Sequence, residues 1–207
     1  NIKSTNECFS KDGIFREQAL EALLKIIPDE SVIVSTTGKT SREIFEIREK
    51  RNESHKKDFL TVGSMGHCSS IALGIALGRP EKKVFCIDGD GSLIMHMGSL
   101  STVGKVKPSN FYHILINNKV HESVGGQPTA ALNINFQRLA SSISYQNTQL
   151  INDFNNFEFI LKKFIGEKGP SFLEIEAVPG SRENLGRPTK SPKDNKIDFM
   201  NFLIKKG

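Results

Sequence analysis

The segment from Val84 to Asn118 constrains the fold more than any other part of the chain. The apolar run Val84-Phe85-Cys86-Ile87 breaks into Asp88-Gly89-Asp90-Gly91-Ser92, a helix-like stretch follows, and a second apolar run, Phe111 to Ile116, breaks into Asn117-Asn118. Two such runs joined by a crossover read as strand, helix, strand, the connection that parallel strands require. Both breaks then lie at the carboxyl edge of one sheet, where open α/β sheets bind their ligands. Asp90 and Asn118 can therefore face one site and offer hard oxygen ligands to a single divalent cation. Gly89 and Gly91 allow the backbone to come close to a ligand, and Ser92 opens a helix whose free N–H groups favour an anion. Together these features describe a metal-bridged phosphate site.

The remaining chain repeats the alternation of strand and helix. Asp12 is placed to cap a helix from Ile14 to Ile27, with Phe15, Ala19, Leu23 and Ile26 or Ile27 on its apolar side, ended by Pro28-Asp29. Val32 to Ser35 reads as a strand. Thr36-Thr37-Gly38-Lys39-Thr40 leads into a helix with Thr40 and Glu43 as its capping box and Ile44 and Ile47 on its buried side. Arg48 to Asp58 reads as a solvated connection. After Phe59-Leu60-Thr61-Val62 come Gly63-Ser64-Met65-Gly66-His67 and a helix of small residues, which calls for close packing against a neighbour or ligand. Beyond the loop Lys119 to Thr129 the pattern predicts a helix near 136–142, a short strand near Tyr145 and a helix over 155–165. A last strand covers 171–177, and the tail is irregular from about 179 to a short helix near 197–204. The expected architecture is three-layer α/β/α with a mostly parallel sheet. Residues 1–13 read as an arm or linker, and 14–207 as one domain.

Composition narrows the function classes. A length of 207 residues suits one α/β domain with its own core. The net charge of +5 resides in isolated pairs such as Lys56-Lys57 and Lys82-Lys83, not in a basic block interleaved with aromatics, which argues against nucleic acid. Cys8, Cys68 and Cys86 form an odd set without CxxC spacing and read as reduced thiols of a cytoplasmic protein, two of them in the core. No signal peptide is recognisable. The longest apolar stretch, Ile71 to Leu77, falls far short of the roughly 20 residues of a membrane helix.

Two nucleotide motifs fit only in part. Thr37-Gly38-Lys39-Thr40 after a strand imitates a P-loop, but Ile33 stands where that motif needs its first glycine. Gly89-Asp90-Gly91 begins like a dinucleotide fingerprint, yet Ile94 replaces the third glycine and the next strand ends in asparagines instead of an acid.

Gly89-Asp90-Gly91-Ser92, followed just under thirty residues later by Asn117-Asn118, resembles the signature of thiamine-diphosphate enzymes. A more extensive likeness is to the phosphonopyruvate decarboxylase family. It is carried by Thr36 to Glu43, Asp58 to His67, Met95-His96-Met97-Gly98, His121-Glu122-Ser123-Val124-Gly125-Gly126-Gln127-Pro128-Thr129 and Leu185-Gly186-Arg187-Pro188-Thr189. The resemblance implies a thiamine-diphosphate-binding fold, thiamine diphosphate and Mg²⁺ as cofactors, and decarboxylation of a small anionic 2-oxo acid. The alternatives are the equivalent sulfopyruvate decarboxylase subunit, which resembles the same half, and a non-catalytic module that keeps the fold and the cofactor edge.

The resemblance also assigns roles. Asp90, Asn118 and the carbonyl of Val120 would hold Mg²⁺, and Gly91 and Ser92 would contact the diphosphate. Thr37, Gly38, Gly63, Ser64 and Met65 would line the rest of the cofactor site, with Met65 wedged beneath it. His121, and less directly Glu122, are candidates for proton transfer or substrate contact, because a histidine titrates near neutrality. Lys39, Arg182 and Arg187 are candidate cations for the substrate anion. Enzymes of this kind also need a glutamate from a pyrimidine-binding domain, for which 207 residues leave no room. The expectation is one half of an enzyme, completed by a partner domain or subunit in an oligomer.

Overall fold

The computed structural model describes residues 13–204, so the expected Asp12 cap, Cys8 and all of the expected arm but Gly13 lie outside the described residues. The elements run α1 (Arg16–Ile26), β1 (Val32–Ser35), α2 (Lys39–Lys50), β2 (Asp58–Leu60), α3 (Cys68–Gly78), β3 (Val84–Gly89), α4 (Asp90–Met95) and α5 (Ser99–Val106). There follow β4 (Phe111–Asn117), β5 (Val120–His121), β6 (Gln127–Pro128), α6 (Phe136–Ser142), β7 (Asn147–Ile151), α7 (Phe157–Gly166), β8 (Ser171–Glu176) and α8 (Pro192–Ile204). Six strands form one sheet in the order β2-β1-β3-β4-β8-β7, every pair parallel, and β5 and β6 form a small antiparallel hairpin. Among the described residues no helix is long and apolar enough to cross a membrane.

The strands are apolar on both sides because both faces are covered. On one face Ile33, Phe85, Ile87, Ile114 and Leu173 meet Leu20 and Leu23 of α1, Ile44 and Ile47 of α2 and Leu161 and Phe164 of α7. On the other, Val34, Cys86, Leu115 and Phe172 meet Ala72 of α3, Leu100 and Val103 of α5, Ala140 of α6 and Phe199 of α8. Small residues bring these layers close: a methyl on Gly104 would stand 1.6 Å from the carbonyl oxygen of Ile143.

Several local expectations are corrected by tertiary contacts. Helix α1 begins at Arg16, so Phe15 is its partly exposed cap residue and Leu20 and Leu24 join Ala19 and Leu23 on the buried side. Thr40 does not cap α2, whose N-cap is Gly38; Glu43 points into the core and pairs with Arg16. The Arg48 to Asp58 stretch is not merely solvated. Its first residue, Arg48, lies in the last turn of α2 and is 3% exposed, and its guanidinium makes two bonds, of 2.8 and 3.0 Å, to the fully buried carboxylate of Asp58. The strand expected at Tyr145 starts two residues later, and Tyr145 itself is core. Helix α8 starts at Pro192, where the missing N–H costs nothing, and buried Asn195 ties it to β2 through Leu60 N–H and the Asp58 carbonyl.

Candidate functional site

The chain leaves β1 for α2 and β2 on one side, then crosses back to place β3 on the other. The strand order therefore reverses between β1 and β3, the position at which loops part and open α/β sheets form a crevice. A cavity of about 210 Å³ opens there, lined by Thr36 to Thr40 after β1, Gly89 to Ser92 after β3, Ile116 and Asn118 at the end of β4, Val120 to Val124 of the following hairpin, Arg16 and Met65.

Ser92 draws three loops together. Its hydroxyl accepts from Thr36 Oγ1 at 2.9 Å and from the Gly66 N–H at 3.0 Å, joining the segments that follow β1, β2 and β3. Two glycines mark where the hairpin lies on this floor. A Cβ at Gly91 would stand 2.6 Å from the His121 ring, and one at Gly38, whose φ is +96°, would stand 2.5 Å from Ser123 Oγ. Side chains at either position would lift the hairpin away.

Asp90 is 2% exposed, and among the described residues no basic side chain forms an ion pair with it. Its carboxylate accepts from Thr129 Oγ1 at 2.5 Å. Burial pushes its pKa up, against that hydroxyl and the nearby backbone N–H groups of Asp90, Gly91 and Asn118. A buried carboxylate without a cation is the arrangement that a divalent metal completes. Asn118 lies in the same cavity, with its amide nitrogen donating to Glu122 Oε2 at 3.1 Å and its Oδ1 accepting the Val120 N–H at 3.3 Å. The donor set therefore fits a hard cation. Asn117, the first of the pair, serves the fold: its amide donates to Glu174 Oε1 at 2.8 Å, linking β4 to β8.

Glu122 is bound more tightly than a surface loop residue. Arg16 Nη1 and the Gly180 N–H donate to it, the latter at 2.8 Å, and Lys39 Nζ lies 3.5 Å away. Burial works against its charge, but Arg16 and Lys39 outweigh it and hold the carboxyl below the usual glutamate range. Arg16 also makes two 2.7 Å bonds to Glu43, which is fully buried. Arg16 was missed by the sequence reading. Its only signal was a cationic residue at a position of the helix that turns out to face inward.

The other expected residues divide. Thr37, Gly38, Met65 and His121 line the cavity, as does Lys39, whose ammonium donates to Ser181 Oγ at 2.7 Å. Gly63 and Ser64 are exposed at its rim, with the Gly63 N–H donating to Thr37 Oγ1 at 3.0 Å. Arg182 and Arg187 do not reach it. Arg182 is held by Glu17 and Glu46, and Arg187 is exposed on the tail. Two acids that lie far apart in sequence from Arg182 claim its fork, which spacing could not reveal.

Comparison with known proteins places this geometry. Residues 36–175 match the family "Thiamine pyrophosphate enzyme, C-terminal TPP binding domain". The chain is 35% identical over 188 residues to a phosphonopyruvate decarboxylase of Streptomyces viridochromogenes, covering 91% of this chain and 46% of that protein. It is 32% identical over 190 residues to the sulfopyruvate decarboxylase subunit beta of Methanococcus maripaludis, covering 92% of this chain and 98% of that subunit. It thus spans about half the length of the Streptomyces relative and nearly all of the Methanococcus one. A solved Mycobacterium smegmatis structure, described as thiamin diphosphate-dependent, superposes with a TM-score of 0.67 at 20% identity, over 80% of this chain and 32% of the other, a likeness of fold. With a carboxylate, an amide and a serine-tied loop gathered where the strand order reverses, and a family match spanning all of them, the chain belongs to the thiamine pyrophosphate enzymes as a C-terminal TPP binding domain.

Proposed function

We propose that the chain is the diphosphate- and metal-binding half of a thiamine-diphosphate-dependent decarboxylase acting on a small anionic 2-oxo acid, phosphonopyruvate first, with phosphonoacetaldehyde and CO₂ as products. The observation that carries this reading is buried Asp90, which among the described residues pairs with no basic side chain, lining one cavity with Asn118 at the strand-order reversal. When bound, thiamine diphosphate supplies a nucleophilic carbon for the substrate ketone and an electron sink for the pair left by departing CO₂.

The chain's own residues do the rest by position. Asp90, Asn118 Oδ1 and the Val120 carbonyl are the proposed Mg²⁺ ligands, and Gly91 and Ser92 the proposed contacts to the diphosphate. Glu122 acts as a positioning residue: by accepting from the Asn118 amide nitrogen it leaves Oδ1 as the coordinating atom, as partners behind a metal ligand commonly do. In this role Glu122 acts through Asn118, a part distinct from the proton transfer or substrate contact expected from the sequence. Met65, Thr37 and Gly38 shape the wall, and the exposed Gly63 and Ser64 face the proposed pyrimidine-binding partner. His121, packed over Gly91, is the candidate to hold or pass a proton. Of the three expected substrate cations only Lys39 lines the cavity, so it is the remaining candidate for the phosphonate. A cytoplasmic location belongs to the same reading, on the free thiols of Cys68 and Cys86.

A second reading, the sulfopyruvate decarboxylase beta role, is favoured by one observation: the chain covers nearly all of the Methanococcus subunit. One experiment addresses both. The chain is mixed with a pyrimidine-domain partner, thiamine diphosphate and Mg²⁺, and turnover is followed with phosphonopyruvate and sulfopyruvate side by side. Phosphonopyruvate turnover that disappears in Asp90→Asn supports the proposal, and faster sulfopyruvate turnover supports the second reading. Mg²⁺-dependent cofactor uptake by Asp90→Asn equal to that of the parent chain would refute the site.

A further inference from the structure

A second polar cluster lies inside the sheet, away from the cavity. Cys86 and Asp88 are two residues apart on β3 and so share a face, and His113 stands directly opposite Cys86 on β4. All three are fully buried. One Asp88 oxygen accepts the Gly89 N–H at 2.9 Å; the other, Oδ2, has no hydrogen-bond partner. His113 Nδ1 is 3.2 Å from the Tyr145 hydroxyl, while Nε2 has none. These two orphaned atoms lie 3.7 Å apart, too far for a hydrogen bond between them. From the other side, Cys68 at the start of α3 brings its sulfur to 3.4 Å from that of Cys86, where its thiol also donates to the carbonyls of Val34 at 3.2 Å and Ile87 at 3.6 Å.

Buried polar atoms are nearly always satisfied, and here two orphans converge with the Cys86 thiol. Cys86 Sγ, an Asp88 oxygen and a His113 ring nitrogen lie within 4.8 Å of one another. Metal–ligand lengths of about 2.0–2.3 Å place the ligand atoms of a tetrahedral zinc roughly 3.3–3.8 Å apart. The orphan pair stands at such a separation, so small rotations bring these three onto one ion; Cys68, its sulfur 3.4 Å from that of Cys86, joins them by turning from the Val34 carbonyl. Tyr145 completes the pattern. A hydroxyl at Nδ1 holds the imidazole with Nε2 free to coordinate, the usual arrangement behind a metal-bound histidine.

We propose that Cys86, Asp88 and His113, with Cys68 as fourth ligand, form a structural site for zinc or a similarly thiophilic divalent cation. Thiolate and imidazole ligands select such a metal over magnesium, which separates this site from the oxygen set at Asp90. Binding releases the thiol protons and ties α3 to β3 and β4. Because Cys68 directly follows the Gly63 to His67 loop, the same ion would steady that wall of the cavity. The site does not depend on the proposed decarboxylase activity.

The test uses the full chain in a Cys8→Ser background, refolded with one equivalent of zinc and dialysed against chelator-free buffer containing excess Mg²⁺. Elemental analysis should find about one zinc per chain. Replacement by cobalt should give a near-ultraviolet thiolate charge-transfer band that is lost in Cys86→Ser. Refolded chain that retains no zinc, a cobalt spectrum without the thiolate band, or full zinc retention by Cys86→Ser would each overturn the proposal. Should the variant fail to fold, the zinc content and cobalt spectrum of the parent chain decide.

Discussion

Removing the Arg16 guanidinium should cost more stability than any surface ion pair. Its side chain is 5% exposed and its two bonds to Glu43 engage a carboxylate with no exposure at all, while Glu122, the third member, is 13% exposed. In Arg16→Met the aliphatic volume is kept, but Glu43 is left as a buried charge without its partner. Loss of one member of such a pair costs about 3–5 kcal/mol. At roughly 2–4 °C per kcal/mol for a chain of this size, the melting temperature should fall by about 6–20 °C. The double variant Arg16→Met/Glu43→Leu removes the stranded charge and should recover much of that loss, a coupling that a double-mutant cycle measures directly. Glu122 keeps the Gly180 N–H and Lys39, so the hairpin stays folded while its grip on Asn118 loosens. Calorimetric Mg²⁺ titration in the presence of thiamine diphosphate should therefore show weaker binding, up to the 10–100-fold or so typical of losing a group behind a metal ligand. Thermal melting followed by circular dichroism reads the first effect. A melting temperature within about 2 °C of the parent, together with unchanged Mg²⁺ affinity, would refute the reasoning that this arginine supports both the core and the site.

Three further outcomes follow from particular contacts. Mixed with a pyrimidine-domain partner, His121→Ala should still take up thiamine diphosphate and Mg²⁺ yet decarboxylate about 10²–10⁴-fold more slowly, and near-normal turnover would remove the imidazole from proton transfer. Gly104→Ala forces a methyl against the Ile143 carbonyl and should destabilise by roughly 1–3 kcal/mol or more in a denaturant titration. Partial burial of Glu46 opposes its charge, but Arg182 and the Gly186 N–H outweigh that and hold its carboxyl low. A carboxylate lowered on folding adds stability that is complete above its unfolded value, about pH 4.3, and is lost as pH falls through the folded one. Glu46→Gln should therefore flatten the fall of melting temperature between about pH 5 and pH 3, and an unchanged slope would exclude this contribution.

The alternation of strands and helices, the parallel sheet and the placing of Asp90 and Asn118 at one ligand-binding edge were legible in the amino-acid order. Hydrophobic period is local, and a parallel sheet puts every strand's carboxyl end on the same edge. Ile44 and Ile47 were assigned to the core from spacing alone, and they are there. What spacing could not supply was which polar groups would meet. Thr40-x-x-Glu43 has the form of a helix cap, yet Glu43 is claimed by Arg16, 27 residues earlier; Arg182 was expected at the substrate, yet Glu17 and Glu46 hold it. Arg48 and Asp58 looked solvated and are a buried pair, and Asp88 and His113, to which the sequence reading assigned no role, face each other 3.7 Å apart. Secondary structure and the edge that binds ligand follow from nearest neighbours along the chain. The pairing of charges depends on side-chain reach across elements and on desolvation, and only the closed tertiary structure determines those.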